Sequence, residues 1–353
     1  MKTNTISFPG LGIGDFTIDA IAFQIGSLTV TWYSIIITTG ILLAVLYVYF
    51  RFREAGLPVD DLIDFALFVV PSGIVGARLY YVLFELDRYI ANPVRIFMVW
   101  EGGLAIYGGI IAGGIAAVLV ARHKKIKMLK ILDMLAPAVM LAQSLGRWGN
   151  FANVEAFGGP TTLPWRMCGD KIDRTFVSKD LVNTAEEIVG LSNDTIGAHP
   201  TFLYESLWNL IGFLVIYFVF VRKKKLHKID GQIFYSYLIW YGLGRLWIEG
   251  LRTDSLYLVD GVIRVSQLVA LLSLLAGAGL MIWGLYRYNK YGKGKMILVI
   301  PREKKDRVAE TNKKSTIQGK ETKEVKEVNN NGTNNKRKRS GSQGKRRNKK
   351  RRK

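Results

Sequence analysis

Residues 144–160 read Ser-Leu-Gly-Arg-Trp-Gly-Asn-Phe-Ala-Asn-Val-Glu-Ala-Phe-Gly-Gly-Pro and close the apolar run Ile131–Leu145. Arg147, Asn150, Asn153 and Glu155 follow one another closely there, with Gly146, Gly149, Gly158 and Gly159 among or just after them. At the end of a membrane-spanning helix such a set is costly, because polar groups near hydrocarbon lose their water partners. Arg147 presents a planar five-donor fork suited to a phosphate. The Asn side chains both donate and accept, and Glu155 accepts a hydrogen bond or carries a proton. A snorkelling arginine and a capping asparagine account for any one of these residues. They do not account for the whole set together with its glycines.

Outward from this stretch, the 353-residue chain divides into two unlike parts. Up to about Tyr288 it is a succession of long apolar runs; from Arg302 to Lys353 it is almost wholly Lys, Arg, Asn, Glu, Ser and Gly. The first part predicts a polytopic membrane protein. The second lacks the apolar surface to fold and is expected to stay disordered. The net charge of +21 therefore belongs mostly to the tail and does not mark a nucleic-acid-binding domain. Cys168 is the only cysteine and the three histidines (His123, His199, His227) are far apart, which argues against a disulfide framework and a metal centre. No cofactor is expected; the chain shows no nucleotide-cradling loop, which argues against an ATP-driven machine. Met1–Ser27 lacks the pattern of a cleavable signal.

Phe16–Thr31 alternates apolar and polar residues with a break at Gly26-Ser27, which predicts a strand or a hairpin before the first span. Spans follow at Trp32–Phe50, Leu62–Phe84, Leu104–Ala121, Ile131 into the opening stretch, Pro200–Val221, Gln232 to about Gly250, and Val265–Tyr286. Each approaches the ~20 residues a bilayer requires. The reading is an all-α polytopic membrane protein of about seven transmembrane helices with a small extracytoplasmic strand and loop region. Residues 1–295 form the membrane domain, including the hydrophilic segment 161–199, and 296–353 the basic tail. Lys and Arg crowd one set of connections (Arg51, Arg53; Arg122 to Lys130; Arg222 to Lys228; the tail), which sets the amino terminus outside and the carboxyl terminus inside.

Depth along the helices then singles out a layer. At 1.5 Å per residue, Arg147, Arg78 and Glu205 lie roughly 25–28 Å from the cytoplasmic starts of their helices, and Arg245 and Glu249 roughly 20–25 Å. Tyr33 and Tyr107 sit within about a turn of the outer face. Six helices thus bring polar groups to one depth, which predicts a buried site in the outer leaflet. On the sixth span Tyr241, Arg245, Glu249 and Arg252 share one face, so a carboxylate can both neutralise and orient an arginine there.

Taken together, Gly146–Gly158 (GRWGNFANVEAFG), His199–Glu205 (HPTFLYE), Tyr241–Arg252 (YGLGRLWIEGLR), Ile18–Tyr33 and Gly76–Val82 (GARLYYV) resemble the prolipoprotein diacylglyceryl transferases. The likeness covers nearly all of residues 16–290 and leaves out the tail. It implies a multi-pass enzyme of the bacterial cytoplasmic membrane that moves the diacylglyceryl group of phosphatidylglycerol onto the lipobox cysteine of a prolipoprotein, releasing glycerol 1-phosphate. It implies Arg147 and Arg245 as phosphate-facing groups, Asn150 and Glu155 as organisers of the headgroup, and Glu249 as the orienter of Arg245. Tyr33, Arg78, Tyr107, Asn153, Gly158 and Glu205 are the further expected substrate-binding residues. Gly158 would allow close backbone approach. Many members carry a histidine where this chain has Tyr107, and tyrosine, with a pKa near ~10, is a poor base at neutral pH, so the acceptor of the thiol proton stays open. The nucleophile comes from the substrate, so Cys168 need not act.

The expected partners are phosphatidylglycerol, prolipoproteins and the bilayer itself. The tail is expected against anionic lipid, and no specific nucleic acid is expected. The competing reading is a transporter or channel with an outer-leaflet anion or lipid site. It predicts polar groups spread through the membrane depth and a repeat between halves; the cytoplasmic halves of these spans are nearly all apolar, and no repeat is found.

Overall fold

The structure, a computed structural model, describes residues 3–26, 28–99, 102–223, 226–255, 257–259 and 263–291. The expected tail, 296–353, lies outside the described residues. Two hairpins open the chain: β1 (Thr3–Phe8) pairs with β2 (Ile13–Asp19), and β3 (Ile21–Ile25) with β4 (Leu28–Thr31). The second turns at Gly26, whose φ of 60° suits glycine, as the break in the alternation predicts. The partner strand β1 was not foreseen. Thr31 then caps α1 (Trp32–Glu54) in a reciprocal capping box with Ser34, so the strand passes into the helix with its first amides satisfied.

After α1 come α2 (Val59–Phe84), the short α3 (Leu86–Ile90), α4 (Ile106–His123) and α5 (Met128–Ala152). The segment beyond α5 holds β5 (Pro160–Thr161), α6 (Asp170–Ser178), α7 (Ala185–Ser192) and β6 (Gly197–Ala198). Then follow α8 (Thr201–Ile216, continuing as a wider turn to Arg222), α9 (Gln232–Leu251), the strand pair β7 (Tyr257–Val259) and β8 (Ile263–Arg264), and α10 (Val265–Tyr291). The architecture is mostly helical and that of a polytopic membrane protein. Among the described residues six helices are long and apolar enough to cross a membrane: α1, α2, α4, α5, α8 with its extension, and α10. The seventh expected span, α9, has 20 residues and is interrupted by Arg245 and Glu249. Large apolar side chains such as Leu42, Ile63, Leu119 and Ile282 face outward from the bundle, the pattern of lipid-facing helices.

The most buried long helix is α5, which packs against α1, α8 and α9. Its Asp133 carboxylate accepts the backbone N–H groups of Gly231 (2.7 Å) and Phe234 (2.9 Å), which caps the start of α9 and sets its height. Helices α8 and α9 are then fixed in register by a reciprocal pair. The Trp208 indole donates to the Trp240 carbonyl at 3.0 Å and Trp240 to the Trp208 carbonyl at 2.9 Å. Each ring lies across a glycine of the facing helix, Gly244 under Trp208 and Gly212 under Trp240. A side chain at either glycine would push the helices apart. That register brings Glu205 of α8 opposite Arg245 of α9.

The layer at the motif end of the helices has its own core, in which Ile6, Val154, Met167, Ile172 and Phe176 are buried. The segment 161–199 is therefore more than a loop: α6 and α7 cover this core, and Thr184 with Glu187 forms the capping box that starts α7. Arg78 is also committed to structure. Its guanidinium donates to the carbonyls of Ile96 (2.9 Å), Gly102 (2.5 Å), Gly103 (3.0 Å), Met98 (3.2 Å) and Arg95, and it stands over the Tyr89 ring. These bonds tie the connection before α4 to α2. Arg78→Lys keeps the charge but loses the planar fork, so it is expected to cost about 1–3 kcal/mol and to open the connection near Met98 to protease, read by limited digestion in detergent.

Candidate functional site

The site is built where α5 ends. Val154 takes a left-handed conformation (φ 48°) and sits one residue past the Asn153 cap, so the Val154 N–H returns to the Phe151 carbonyl (2.9 Å) and the Glu155 N–H to the Asn150 carbonyl (3.0 Å). This double bond is the Schellman closure that glycine ordinarily provides. A β-branched residue there stores roughly 1–2 kcal/mol of backbone strain. Burial of the Val154 side chain in the core holds it in place. Ala156 follows with φ 56°. Between these two turns Glu155 folds back beneath its own helix, where its Oε1 accepts from Asn150 (2.9 Å) and Asn153 (3.4 Å). Two residues that the sequence reading passed over brace the turn: Lys171 donates to the Asn153 carbonyl (2.7 Å) and Thr201 to the Ala156 carbonyl (2.5 Å).

From Glu155 the contacts run inward. Asn150 Oδ1 accepts from Arg147 (3.3 Å), and Arg147 forms an ion pair with Glu205. Glu205 is the hub of the cluster. It also accepts from Arg245 through both oxygens (3.0 and 3.1 Å) and from Arg252 (3.3 Å). Arg245 reaches Glu249 at 2.6 Å, and Arg252 forks onto Asp254 at 2.9 and 2.8 Å. Glu249 accepts from Ser255 (2.7 Å), and its backbone carbonyl from Arg264. Three guanidinium groups thus face three carboxylates, with Glu205 and Glu249 buried. Because Arg245 and Arg252 also neutralise Glu205, Arg147 can turn to another anion without leaving a bare buried charge.

Glycines let the parts meet. The Tyr33 ring packs close against Gly149, where a Cβ would come within 2.9 Å of it. Gly158 bonds to His199 and pairs with Arg252, joining the ends of α5 and α9 to the start of α8. A Cβ on Gly158 would fall 2.7 Å from His199 Cβ and 2.9 Å from the Leu251 carbonyl oxygen. Gly158→Ala is therefore expected to cost about 1–3 kcal/mol and to lower activity by spreading Arg147 from Arg252, checked by melting temperature and turnover together.

A cavity of about 640 Å³ begins at this cluster. Tyr33, Gln143, Arg147 and Asn150 line its polar end, and the rest of its wall on α1, α2, α4 and α5 is almost wholly apolar. Arg245 and Arg252 are not part of its lining. The arrangement is that of an amphiphile site, with a cation and amide donors at one end and a long apolar wall below. Tyr107 stands at the start of α4, partly exposed, and is not part of the cavity lining. Arg78, by contrast, spends its donors on backbone carbonyls away from Glu205.

Cys168 lies in the layer beyond α5, fully buried, with its thiol directed at the carbonyls of Asp194 and Ile196 (3.7 and 3.6 Å). Burial, with Asp194 nearby, pushes that thiol up to about 12. A raised pKa disfavours the thiolate, so the folded protein is expected to resist a water-soluble maleimide at neutral pH. Cys168→Ser is expected to keep full activity; fast labelling or loss of turnover would assign the thiol a role.

Known proteins are similar in sequence over most of this chain. The family profile of prolipoprotein diacylglyceryl transferases matches residues 20–283. The chain is 45% identical over 269 residues to the phosphatidylglycerol–prolipoprotein diacylglyceryl transferase of Enterococcus faecalis, covering 75% of this chain and 90% of that one. It is 42% identical over 280 residues to the enzyme of that name from Staphylococcus aureus, covering 79% and 94%. With the Lysinibacillus sphaericus enzyme it shares 40% over 268 residues, covering 75% and 92%. The chain belongs to the prolipoprotein diacylglyceryl transferase family.

Proposed function

We propose that this membrane transferase moves the sn-1,2-diacylglyceryl group of phosphatidylglycerol to the lipobox cysteine thiol of prolipoproteins. A sulfur–carbon bond forms at the glyceryl carbon as the carbon–oxygen bond to the phosphate breaks; glycerol 1-phosphate departs with that electron pair, and the proton lost by the thiol ends on the departing phosphate. The observation that carries this reading is Arg147 at the head of a long apolar cavity: a phosphate-matched cation above room for lipid chains. Negative charge grows on the departing phosphate, and a guanidinium already aimed at it stabilises the transition state without reorganisation. Asn150 and Tyr33 line the same end and contact the headgroup. Glu155 acts through Asn150, and Asn153 completes the bracket around it. Arg245 and Glu249 form the second rank, with Glu205 holding Arg147 and Arg245 in register. Gly158 keeps the three helix ends together, and Tyr107 faces the same end.

We read α9 as the seventh span of a protein in the bacterial cytoplasmic membrane, with the Arg147 end outside. The basic ends of α1 and α4 support that orientation, as does the basic tail, which is read as lying against anionic lipid on the inner side. The cavity wall below Arg147 lacks the polar groups that a permeation path would need.

The test uses the purified protein in vesicles of defined lipid with a synthetic lipobox peptide. Lipid-modified peptide and free glycerol 1-phosphate are expected from phosphatidylglycerol vesicles and not from phosphatidylcholine vesicles. The peptide with serine for cysteine is expected to stay unmodified. No modified peptide from phosphatidylglycerol would overturn the proposal.

A further inference from the structure

The cavity has a shape as well as a polar end. Helix α1 packs along α5 and α2 along α4, whereas α1 barely touches α2 and α4 barely touches α5. The cavity occupies the space between these two pairs. The pairs join far from Arg147, where Val48, Phe52, Phe65, Ala117 and Ile131 are buried in one cluster. Side-chain exposure follows that geometry. Val45 and Val70 on the walls are 53% and 57% exposed, while Phe52 and Phe65 are 1% and 7% exposed. The space is thus a wedge, open toward the polar site and closed at an apex where the Phe52 and Phe65 rings meet edge to face, with centroids 6.5 Å apart.

Its depth exceeds one leaflet. The residues from Ile131 to Arg147 on α5 span ~24 Å at the helical rise, against ~15 Å for half of a hydrocarbon core. A chain anchored by its headgroup at Arg147 therefore runs extended past the midplane before it meets the apex. Lipid tails gain little on leaving one apolar medium for another, so what the wedge discriminates is fit: a chain that ends short leaves a void, and one that overruns meets packed side chains.

We propose that this wedge is an acyl-chain gauge for the donor lipid, in which Phe52 and Phe65 form the floor that selects chain length, with Ala66 on the wall just above it. The inference rests on the proposed reaction and adds a specificity determinant to it. The occupant is one acyl chain of the lipid whose phosphate Arg147 holds. Two features of the wedge support that choice: its continuity with the Arg147 end and its apolar walls.

The floor can be moved in both directions. Phe52→Ala deepens the wedge. Ala66→Phe, at an exposed position on the wall, makes it shallower. The experiment gives the purified full chain an equal mixture of dimyristoyl- and dioleoyl-phosphatidylglycerol in detergent with a lipobox peptide, and reads the ratio of the two product masses. Both products come from one reaction, so the ratio does not depend on how much protein is folded. Relative to wild type, Phe52→Ala is expected to shift the ratio toward the longer chain and Ala66→Phe toward the shorter, each by about tenfold, as small changes in an apolar pocket do. Phe65→Leu stands in with the same sign as Phe52→Ala should that variant not fold. Product formed with unchanged ratios, or both variants shifting the same way, would overturn the gauge and leave the transferase reading intact. No product from the wild type would overturn both.

Discussion

Arg147→Ala is expected to cripple transfer, with kcat/KM lowered by about a hundredfold to a thousandfold, the range for removing one preorganised donor from a developing anion. Arg147 alone among the three clustered arginines lines the cavity, so it is the one proposed to meet the phosphate, while Arg245 and Arg252 pair with Glu205 outside the lining. Arg147→Lys keeps the charge and loses the fork, and is expected to recover only part of the loss. Because Arg245 and Arg252 still neutralise Glu205, the Arg147→Ala protein is expected to melt near the wild-type temperature. A folded Arg147→Ala protein with wild-type turnover would remove the phosphate role from this residue.

Glu205→Gln has the opposite balance, a large effect on stability as well as on activity. The carboxylate is buried and receives three guanidinium groups. Its loss leaves Arg147, Arg245 and Arg252 with Glu249 and Asp254 alone, and a broken buried network of this kind costs about 3–5 kcal/mol. The sign of the cause can be checked by coupling. Adding Arg252→Met to Glu205→Gln removes one of the stranded cations and is expected to restore part of the lost stability. If the double variant is less stable than the sum of the two single ones, charge balance is not what Glu205 provides.

Much of this site could be read before any coordinates. Helix rise alone placed Arg147, Glu205, Arg245 and Glu249 at one depth, and they form one connected cluster. The stretch around Glu155 was legible as a polar helix end. Depth, however, carries no angular information. Arg78 matches the others in height, yet it faces the connection before α4, where backbone carbonyls take its donors. Arg252 was seen only as part of a ladder on α9; its bond to Glu205 depends on the register set by Trp208 and Trp240, which no single-helix pattern contains. Alternation around Gly26 pointed to a strand or a hairpin before α1, and the structure has the hairpin, whereas β1 gave no comparable signal. The helices α6 and α7 are short, and their apolar faces make sense only against a core supplied by distant residues such as Ile6 and Val154. The capping box Thr184-x-x-Glu187 is the one local sign of α7 in this hydrophilic segment.

The central claim is that the Arg147 cluster holds phosphatidylglycerol while a substrate thiol displaces its phosphate. Its most direct test is the mass of a lipobox peptide after incubation with phosphatidylglycerol and purified wild-type, Arg147→Ala or Arg245→Ala protein, each verified as folded. The account predicts a gain of one diacylglyceryl group per peptide and an equal amount of released glycerol 1-phosphate with the wild type, and at most traces of either with Arg147→Ala. With Arg245→Ala it predicts a strongly reduced yield. An unmodified peptide with the wild type, or full modification with Arg147→Ala, would contradict it.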